Sequence, residues 1–131
     1  MIVIDAGVLA TAIGDDGDDG TRARRELGSA GKLAAPDLVD VETTAVLRKR
    51  RLARELTDRR FALAIDDLQE MALDRYPTLR LMRRAYELRA NVSPYDAAYV
   101  ALAEGLGCEL LTADRRLGNA SGPRCPIRTL S

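Results

Sequence analysis

Hydrophobic residues occur along the chain in two patterns, short continuous runs and longer stretches with helical spacing. The continuous runs predict short buried strands at 1–5, 32–35, 73–76, 109–112 and 127–130. The periodic stretches predict helices at 6–13, 21–29, 37–52, 58–71, 78–89 and 95–106, with a helical turn at 114–117. This alternation indicates an α/β fold in three layers, α/β/α, around a central, mostly parallel sheet of about four or five strands.

Two of the predicted helices have an apolar face that we expect to pack against the rest of the molecule. In the helix 37–52 this face consists of Leu38, Val41, Ala45 and Val46. In the helix that Thr57 caps, it consists of Phe61, Leu63, Ala64, Leu68 and Met71. The segment 14–20 (GDDGDDG) is interpreted as an acidic surface loop, because it matches the calcium-binding pattern poorly.

Four carboxylates lie where a globular core rarely has an acid. Asp5 follows the first strand and Asp114 the fourth, so both are expected at the sheet edge where parallel α/β folds bind ligands. Glu42 falls within the apolar face of its helix, and Asp96 begins a helix that is apolar on all sides. Each acid also has a structural interpretation. The three aspartates would cap helices, with Ser93 completing a capping box before Asp96. Glu42 would form an ion pair with an arginine.

Composition narrows the possible chemistry. The 131 residues suffice for one domain with a core, and a formal net charge of +0 gives no sign of a nucleic-acid partner. The chain has no histidine, which excludes catalytic triads that contain histidine and pairs of histidines that act as acid and base. Converging carboxylates repel one another unless a cation neutralises them, and oxygen ligands suit Mg²⁺ or Mn²⁺.

Cellular location is predicted from the same composition. No apolar stretch is long enough to cross a membrane, and the N-terminal segment lacks the basic leader of a signal peptide. The two cysteines, Cys108 and Cys125, are far apart in sequence and form no paired motif, which is typical of a reducing compartment. We therefore expect a cytoplasmic protein.

Three segments and one isolated acid together resemble a known family. The segments are 1–6 (MIVIDA), 93–103 (SPYDAAYVALA) and 111–117 (LTADRRL), and the acid is Glu42. In order and spacing they resemble a PIN-domain ribonuclease, and more closely the VapC toxins of bacterial toxin–antitoxin pairs. The resemblance covers residues 1–131 as a single PIN domain. It implies an acidic quartet that is catalytic and binds Mg²⁺, with Mn²⁺ as a substitute, formed by Asp5, Glu42, Asp96 and Asp114.

The reaction that this resemblance implies is hydrolysis of RNA phosphodiesters by a metal-activated water. Glu42 is expected to bind the metal or to orient the water, and Thr112 and Ser93 to support the acids. The family usually has serine or threonine where this chain has Gly7. We expect the lost hydroxyl to affect the rate more than the reaction.

The same resemblance implies partners. Arg115 and Arg116 beside Asp114, and Arg48 and Arg51 beyond Glu42, are candidates for RNA contact, although the second pair also suits a solvated helix end. A VapB-like antitoxin is expected to block the acidic pocket with a basic side chain, and the protein is expected to form a homodimer. Aromatic residues are few, and we expect two of them, Tyr95 and Tyr99, in the core or in the pocket wall.

Two other functional classes remain open. A phosphotransfer α/β domain also has an aspartate after its first strand, but haloacid-type phosphatases need a second aspartate where this chain has Gly7. A PIN-like RNA-binding module without catalysis predicts that some of the acids are lost, whereas all four are present.

Overall fold

A five-stranded sheet, in which every neighbouring pair of strands is parallel, forms the centre of the molecule. The computed structural model describes residues 1–130. The strands are β1 (Ile2–Ile4), β2 (Leu33–Pro36), β3 (Asp74–Tyr76), β4 (Glu109–Thr112) and β5 (Ile127–Thr129). Their order is β3-β2-β1-β4-β5, so the chain reverses its direction of travel between β1 and β4. Ligands bind at such a switch point in open α/β sheets.

Helices flank this sheet, which confirms the predicted α/β fold class. They are α1 (Ala6–Gly14), α2 (Asp18–Ser29), α3 (Val39–Leu52), α4 (Asp58–Glu70), α5 (Met82–Glu87), α6 (Pro94–Leu106) and α7 (Arg115–Gly118). The predicted helix 78–89 is in fact a 3₁₀-helix, Thr78–Leu81, followed by the short α5. No helix within residues 1–130 has both the length and the apolar character of a membrane span.

Two helices, α1 and α6, are buried on nearly all sides. From Val8 to Ile13, every residue of α1 is buried, and this helix packs against α2, α3 and α4. From Ala97 to Ala103, every residue of α6 is buried, and α6 packs against β1, β2 and β4. Helices enclosed in this way have little freedom to move. The acids at their N-terminal ends, Asp5 and Asp96, are therefore held on a rigid framework.

The loop after α1 is shorter than predicted. It comprises only Asp15–Gly17, because the next helix starts at Asp18 rather than at 21. Two acids in the first turn of a helix interact favourably with its dipole, and Asp18 and Asp19 provide them here. Gly20 allows the close approach, since a Cβ at this position would lie 1.8 Å from the carbonyl oxygen of Asp15.

The apolar face of α3 is rotated from the predicted one, whereas that of α4 departs from the prediction at a single residue. Val41 is 75% exposed, and the buried side of α3 instead consists of Val39, Thr43 and Leu47, spaced four residues apart. In α4 the predicted residues Ala64 and Leu68 are buried and Phe61 and Met71 pack against the core, so only Leu63 is exposed. One residue along a helix turns the side chain by about 100°, so a shift of one position moves it from core to solvent.

Thr43 is the basis of a stability prediction. Its hydroxyl is fully buried and has no hydrogen-bond partner among the described residues. An unpaired buried hydroxyl is destabilising, so we expect Thr43→Val to raise the free energy of unfolding by about 1 kcal/mol. Urea denaturation measures the change. Thr44→Val is the matched control, because the Thr44 hydroxyl donates to the Asp40 carbonyl (2.8 Å) and its loss should be destabilising. Equal losses of stability in both variants would contradict this account.

Candidate active site

Asp5 lies at the C-terminal end of β1 and is the most buried of the four acids. Both of its carboxylate oxygens are occupied by hydrogen bonds. Oδ1 accepts from the Val8 backbone N–H (2.9 Å), which makes Asp5 the N-cap of α1. Oδ2 accepts from the Thr112 hydroxyl and from the Ala113 backbone N–H (3.3 Å). Asp5 therefore has the predicted capping role and at the same time joins the ends of two neighbouring strands.

Thr112 lies between Asp5 and Asp114. Its hydroxyl donates to Asp5 and accepts the backbone N–H of Asp114 at 3.0 Å. The pairing of Ile4 with Leu111 in β1 and β4 brings these residues to the same sheet edge. Asp114 also accepts from the backbone N–H of Arg116 (2.9 Å) and caps α7. The two acids that follow strands are thus placed side by side at the switch point, as expected.

Glu42 approaches the same region from α3. Its Oε1 accepts a hydrogen bond from the buried Tyr99 hydroxyl, 2.7 Å away, in the second turn of α6. Glu42 forms no ion pair within the described part of the chain, so the alternative of an arginine partner is wrong. Tyr99 is a wall of the site, as expected, but Tyr95 is 63% exposed and the prediction for it is wrong. Tyr95 lies in the first turn of α6, and it is not among the buried residues of that helix.

Asp96 is half-buried in the first turn of α6. Its backbone N–H donates to the Ser93 hydroxyl at 3.2 Å, so Ser93 caps the helix and leaves the Asp96 carboxylate free to face the other acids. Burial raises the pKa of Asp96, and the negative charges of Asp5 and Asp114 raise it further. These contributions indicate that the three aspartates lie near one another.

Two further acids respond to the same electrostatic field. Burial raises the pKa of Asp5, and the Asp114 charge adds to the rise against the lowering effect of its hydrogen bonds. Burial also raises the pKa of Glu42, with contributions from Asp96 and Asp5 and an opposing one from the Tyr99 hydroxyl. The predicted quartet is therefore brought together. Three of its members, Asp5, Glu42 and Asp96, are stabilised in their neutral forms unless a cation approaches.

Asp114 differs from the other three because it already has a cationic neighbour. The Arg116 guanidinium lies 3.3 Å from its carboxylate, and this contact lowers the pKa of Asp114. Arg115 is exposed one residue earlier. Arg48 and Arg51 lie about 9 and 14 Å beyond Glu42 along α3, and Arg51 is bound by Asp58. Of the four predicted RNA-binding arginines, only Arg116 contacts a member of the quartet.

The donor set fits a hard divalent cation. All its side chains offer oxygen, three carboxylates have no basic partner within residues 1–130, and burial disfavours their charged forms. Over the same residues, no three Asp, Glu or Cys side chains are gathered tightly enough to enclose an ion. A bound ion would therefore require the acids to draw closer to one another.

Some contributors to the site were not predicted. The Ala113 and Val8 amides that hold Asp5 are backbone groups, and the type of residue does not indicate where a backbone amide will point. The Tyr99–Glu42 bond did have a signal, since a tyrosine within an apolar helix needs a partner for its hydroxyl. Gly7 leaves space for Ala113, because a Cβ at Gly7 would lie only 3.1 Å from the Ala113 Cβ.

Comparison with known proteins agrees with this geometry. The PIN domain family profile matches residues 2–123. The VapC ribonuclease Mb0985 of Mycobacterium bovis is 41% identical over 127 residues, which cover 97% of this chain and 96% of that protein. Ribonuclease VapC1 of Mycobacterium tuberculosis is 37% identical over 96% of this chain and 95% of its own length. The chain belongs to the PIN-domain family, and within it to the VapC ribonucleases.

Solved structures confirm the fold. The crystal structure of Mycobacterium tuberculosis VapC20 matches with a TM-score of 0.70 at 18% identity, over 91% of this chain and 94% of that one. VapBC2 from Rickettsia felis, bound to a promoter DNA fragment, also gives 0.70, at 14% identity over 100% of both chains. Membership of the PIN family makes the phosphotransfer alternative wrong.

The Tyr99–Glu42 hydrogen bond leads to a prediction about catalysis. Tyr99→Phe removes the hydroxyl that fixes Glu42 while keeping the ring, and hydrogen bonds to charged groups are worth about 1.5–3 kcal/mol. We expect RNA cleavage to slow by about tenfold, measured as initial rates. Tyr95→Phe is the control, since this tyrosine lies on the same helix but is exposed. Equal rates for the two variants would show that Tyr99 only packs.

Proposed function

We propose that this chain is a Mg²⁺-dependent endoribonuclease and the toxin of a VapBC-type pair. The observation that carries the proposal is the quartet itself. Four carboxylates converge at the switch point of a parallel sheet, and no basic side chain within the described chain pairs with Asp5, Glu42 or Asp96. Such an arrangement is costly to maintain without a cation and is typical of sites that bind one.

The protein residues have separate tasks in this proposal. Asp5, Asp96 and Asp114 would hold the ion, and Glu42 would hold it or accept a hydrogen bond from the attacking water. When bound, a divalent cation neutralises these carboxylates, polarises a phosphodiester and lowers the pKa of water. Mn²⁺ offers the same coordination chemistry as Mg²⁺ and is expected to substitute.

Supporting residues fix the direction in which the acids point. The Thr112 hydroxyl and the Ala113 amide hold one oxygen of Asp5, and the Tyr99 hydroxyl holds one oxygen of Glu42. Ser93 acts less directly, because it orders the first turn of α6 and not the carboxylate of Asp96. Preorganised groups of this kind reduce the reorganisation that the reaction needs.

Substrate RNA requires positive charge near these acids. Arg116 is highly exposed and close to the quartet, so it can exchange Asp114 for a phosphate of the substrate. Arg115 lies beside it on α7. Arg48 and Arg51 extend the basic surface along α3 and are assigned to the more distant RNA backbone.

Protein partners complete the proposal. We expect a VapB-like antitoxin to place a basic side chain on the acids, much as Arg116 already contacts Asp114. We also expect a homodimer. Val41 on α3 and Leu79 on the 3₁₀-helix are strongly exposed apolar residues. The Thr78 hydroxyl, at the start of the 3₁₀-helix, donates a hydrogen bond to the carboxylate of Asp37, two residues before α3. A second copy that covered Val41 and Leu79 would bury this surface.

The decisive experiment is cleavage of total bacterial RNA by antitoxin-free protein, with Mg²⁺ and with a chelator. We expect cleavage that needs the metal, and a loss in Asp96→Asn that exceeds the roughly 100-fold cost of losing a supporting residue. Asp66→Asn is the control, since Asp66 is exposed on α4 and should be silent. If no cleavage is observed, calorimetry of Mg²⁺ binding to the same samples distinguishes a protein that binds the metal from one that does not. No cleavage together with no Mg²⁺ binding would leave an RNA-binding module without catalysis.

Toxicity is tested in cells. Induced expression of the wild-type chain in a bacterium is expected to stop growth, because uncontrolled RNA cleavage blocks protein synthesis. Asp96→Asn, produced to the same level, should allow growth. Arrest by both proteins would mean that toxicity does not depend on the carboxylate site.

A further inference from the structure

A second cleft, of about 520 Å³, opens between α5 and the start of α6. The carboxylate quartet does not line it. Its buried lining is apolar and includes Ala85 and Val92, whereas Tyr86, Arg89 and Asn91 are exposed at its edge. The cleft therefore combines an apolar base with an aromatic, a cationic and an amide group, a combination that suits a flat polar ligand.

Tyr86 and Arg89 form a stacked pair at this edge. The Arg89 guanidinium lies 4.1 Å from the centre of the Tyr86 ring, and that of Arg83 lies 6.0 Å from it. The Tyr86 side chain is nevertheless 56% exposed, so the pair presents flat surface to solvent. Tyrosine rings and guanidinium planes are the surfaces on which proteins stack unpaired nucleobases.

Charge distinguishes this cleft from a larger one. The larger cleft, of about 800 Å³ between the α1–α2 loop and α4, is lined by four acids, Asp15, Asp16, Asp19 and Glu55, as well as by arginines. None of the residues that line the α5–α6 cleft is acidic. Because RNA carries one negative charge per phosphate, the α5–α6 cleft suits a nucleotide better than the larger cleft does.

The position of the cleft relates it to the quartet. Ser93 and Pro94 form part of its wall, and the Ser93 hydroxyl accepts the backbone N–H of Asp96. The catalytic candidate Asp96 therefore lies in the same helical turn that closes the cleft. A nucleotide bound in the cleft would therefore rest against the helical turn that also carries Asp96.

We propose that the α5–α6 cleft binds one unpaired base of the RNA substrate beside the scissile bond. The base stacks on the Tyr86–Arg89 pair, and the Asn91 amide is available to its polar edge. The proposal rests on the ribonuclease function stated above, and it assigns to Tyr86 and Arg89 a role in substrate binding rather than in bond cleavage.

Kinetics test the proposal with a short single-stranded RNA that spans a cut site mapped with the wild-type enzyme. We expect Tyr86→Ala to raise KM about tenfold, within the range for removing one base-stacking ring, and to leave kcat unchanged. Tyr86→Phe keeps the ring and should retain the wild-type KM. Leu63→Ala, in the acidic cleft, is the control for nonspecific effects. An unchanged KM in Tyr86→Ala overturns the proposal.

Fluorescence gives a readout that does not depend on cleavage. The chain has no tryptophan, so Tyr86→Trp introduces a single reporter. In an Asp96→Asn background, oligoadenylate should quench its emission, and an abasic ribose-phosphate oligomer of equal length should not. Leu63→Trp in the same background should respond to neither. Equal quenching of both reporters, or equal quenching by both oligomers, would contradict stacking in this cleft.

The outcomes distinguish the two proposals from each other. If the wild-type protein cleaves no RNA, the proposed function fails, whatever the fluorescence shows. If the wild type cleaves and Tyr86→Ala has an unchanged KM, only the base site fails. Analytical ultracentrifugation of Tyr86→Ala tests whether the substitution changes the oligomeric state. A change in its oligomeric state would show that this face contacts a second copy of the chain, and it would overturn the base site.

Discussion

The buried carboxylate of Asp5 is the feature on which the rest of the structure depends. A charge at the centre of a sheet is tolerated only when it is hydrogen-bonded, and Asp5 meets this requirement through Val8 on one side and through Thr112 and Ala113 on the other. These bonds connect the start of α1 to the end of β4. The carboxylate that we propose as a metal ligand therefore also joins α1 to β4.

Much of this arrangement follows from simple regularities of the sequence. Continuous apolar runs are typical of strands buried on both faces, and such strands pair in parallel. Once the sheet is parallel, all strand ends point the same way, so Asp5 and Asp114 must lie on one edge. Asp96 was predictable for a related reason, because a helix that is apolar all round can have a polar residue only at its end.

What the sequence did not reveal was the rotation of side chains about their helices. Val41 and Leu63 satisfy the periodic rule yet face solvent, because packing selects one of two overlapping stripes and the rule accepts both. Tyr95 faces outward for the same reason, although its neighbour Asp96 faces the acids. The amide of Ala113 is a backbone donor, and only the three-dimensional fold determines its direction. The orientation of side chains about their helices and the direction of backbone amides are thus the features that the sequence did not predict.

The four acids of the site are unequal, and this inequality has a consequence for binding. Asp5 is buried and fully hydrogen-bonded, so its position is fixed before any ligand arrives. Asp114 is held instead by Arg116, an ion pair whose arginine is highly exposed, and exposed ion pairs contribute little stability. If the site binds a cation as proposed, that cation would displace Arg116 without disturbing the fold. In the proposed function the released guanidinium would lie beside the acids, where a substrate phosphate is the partner that fits its charge and geometry best.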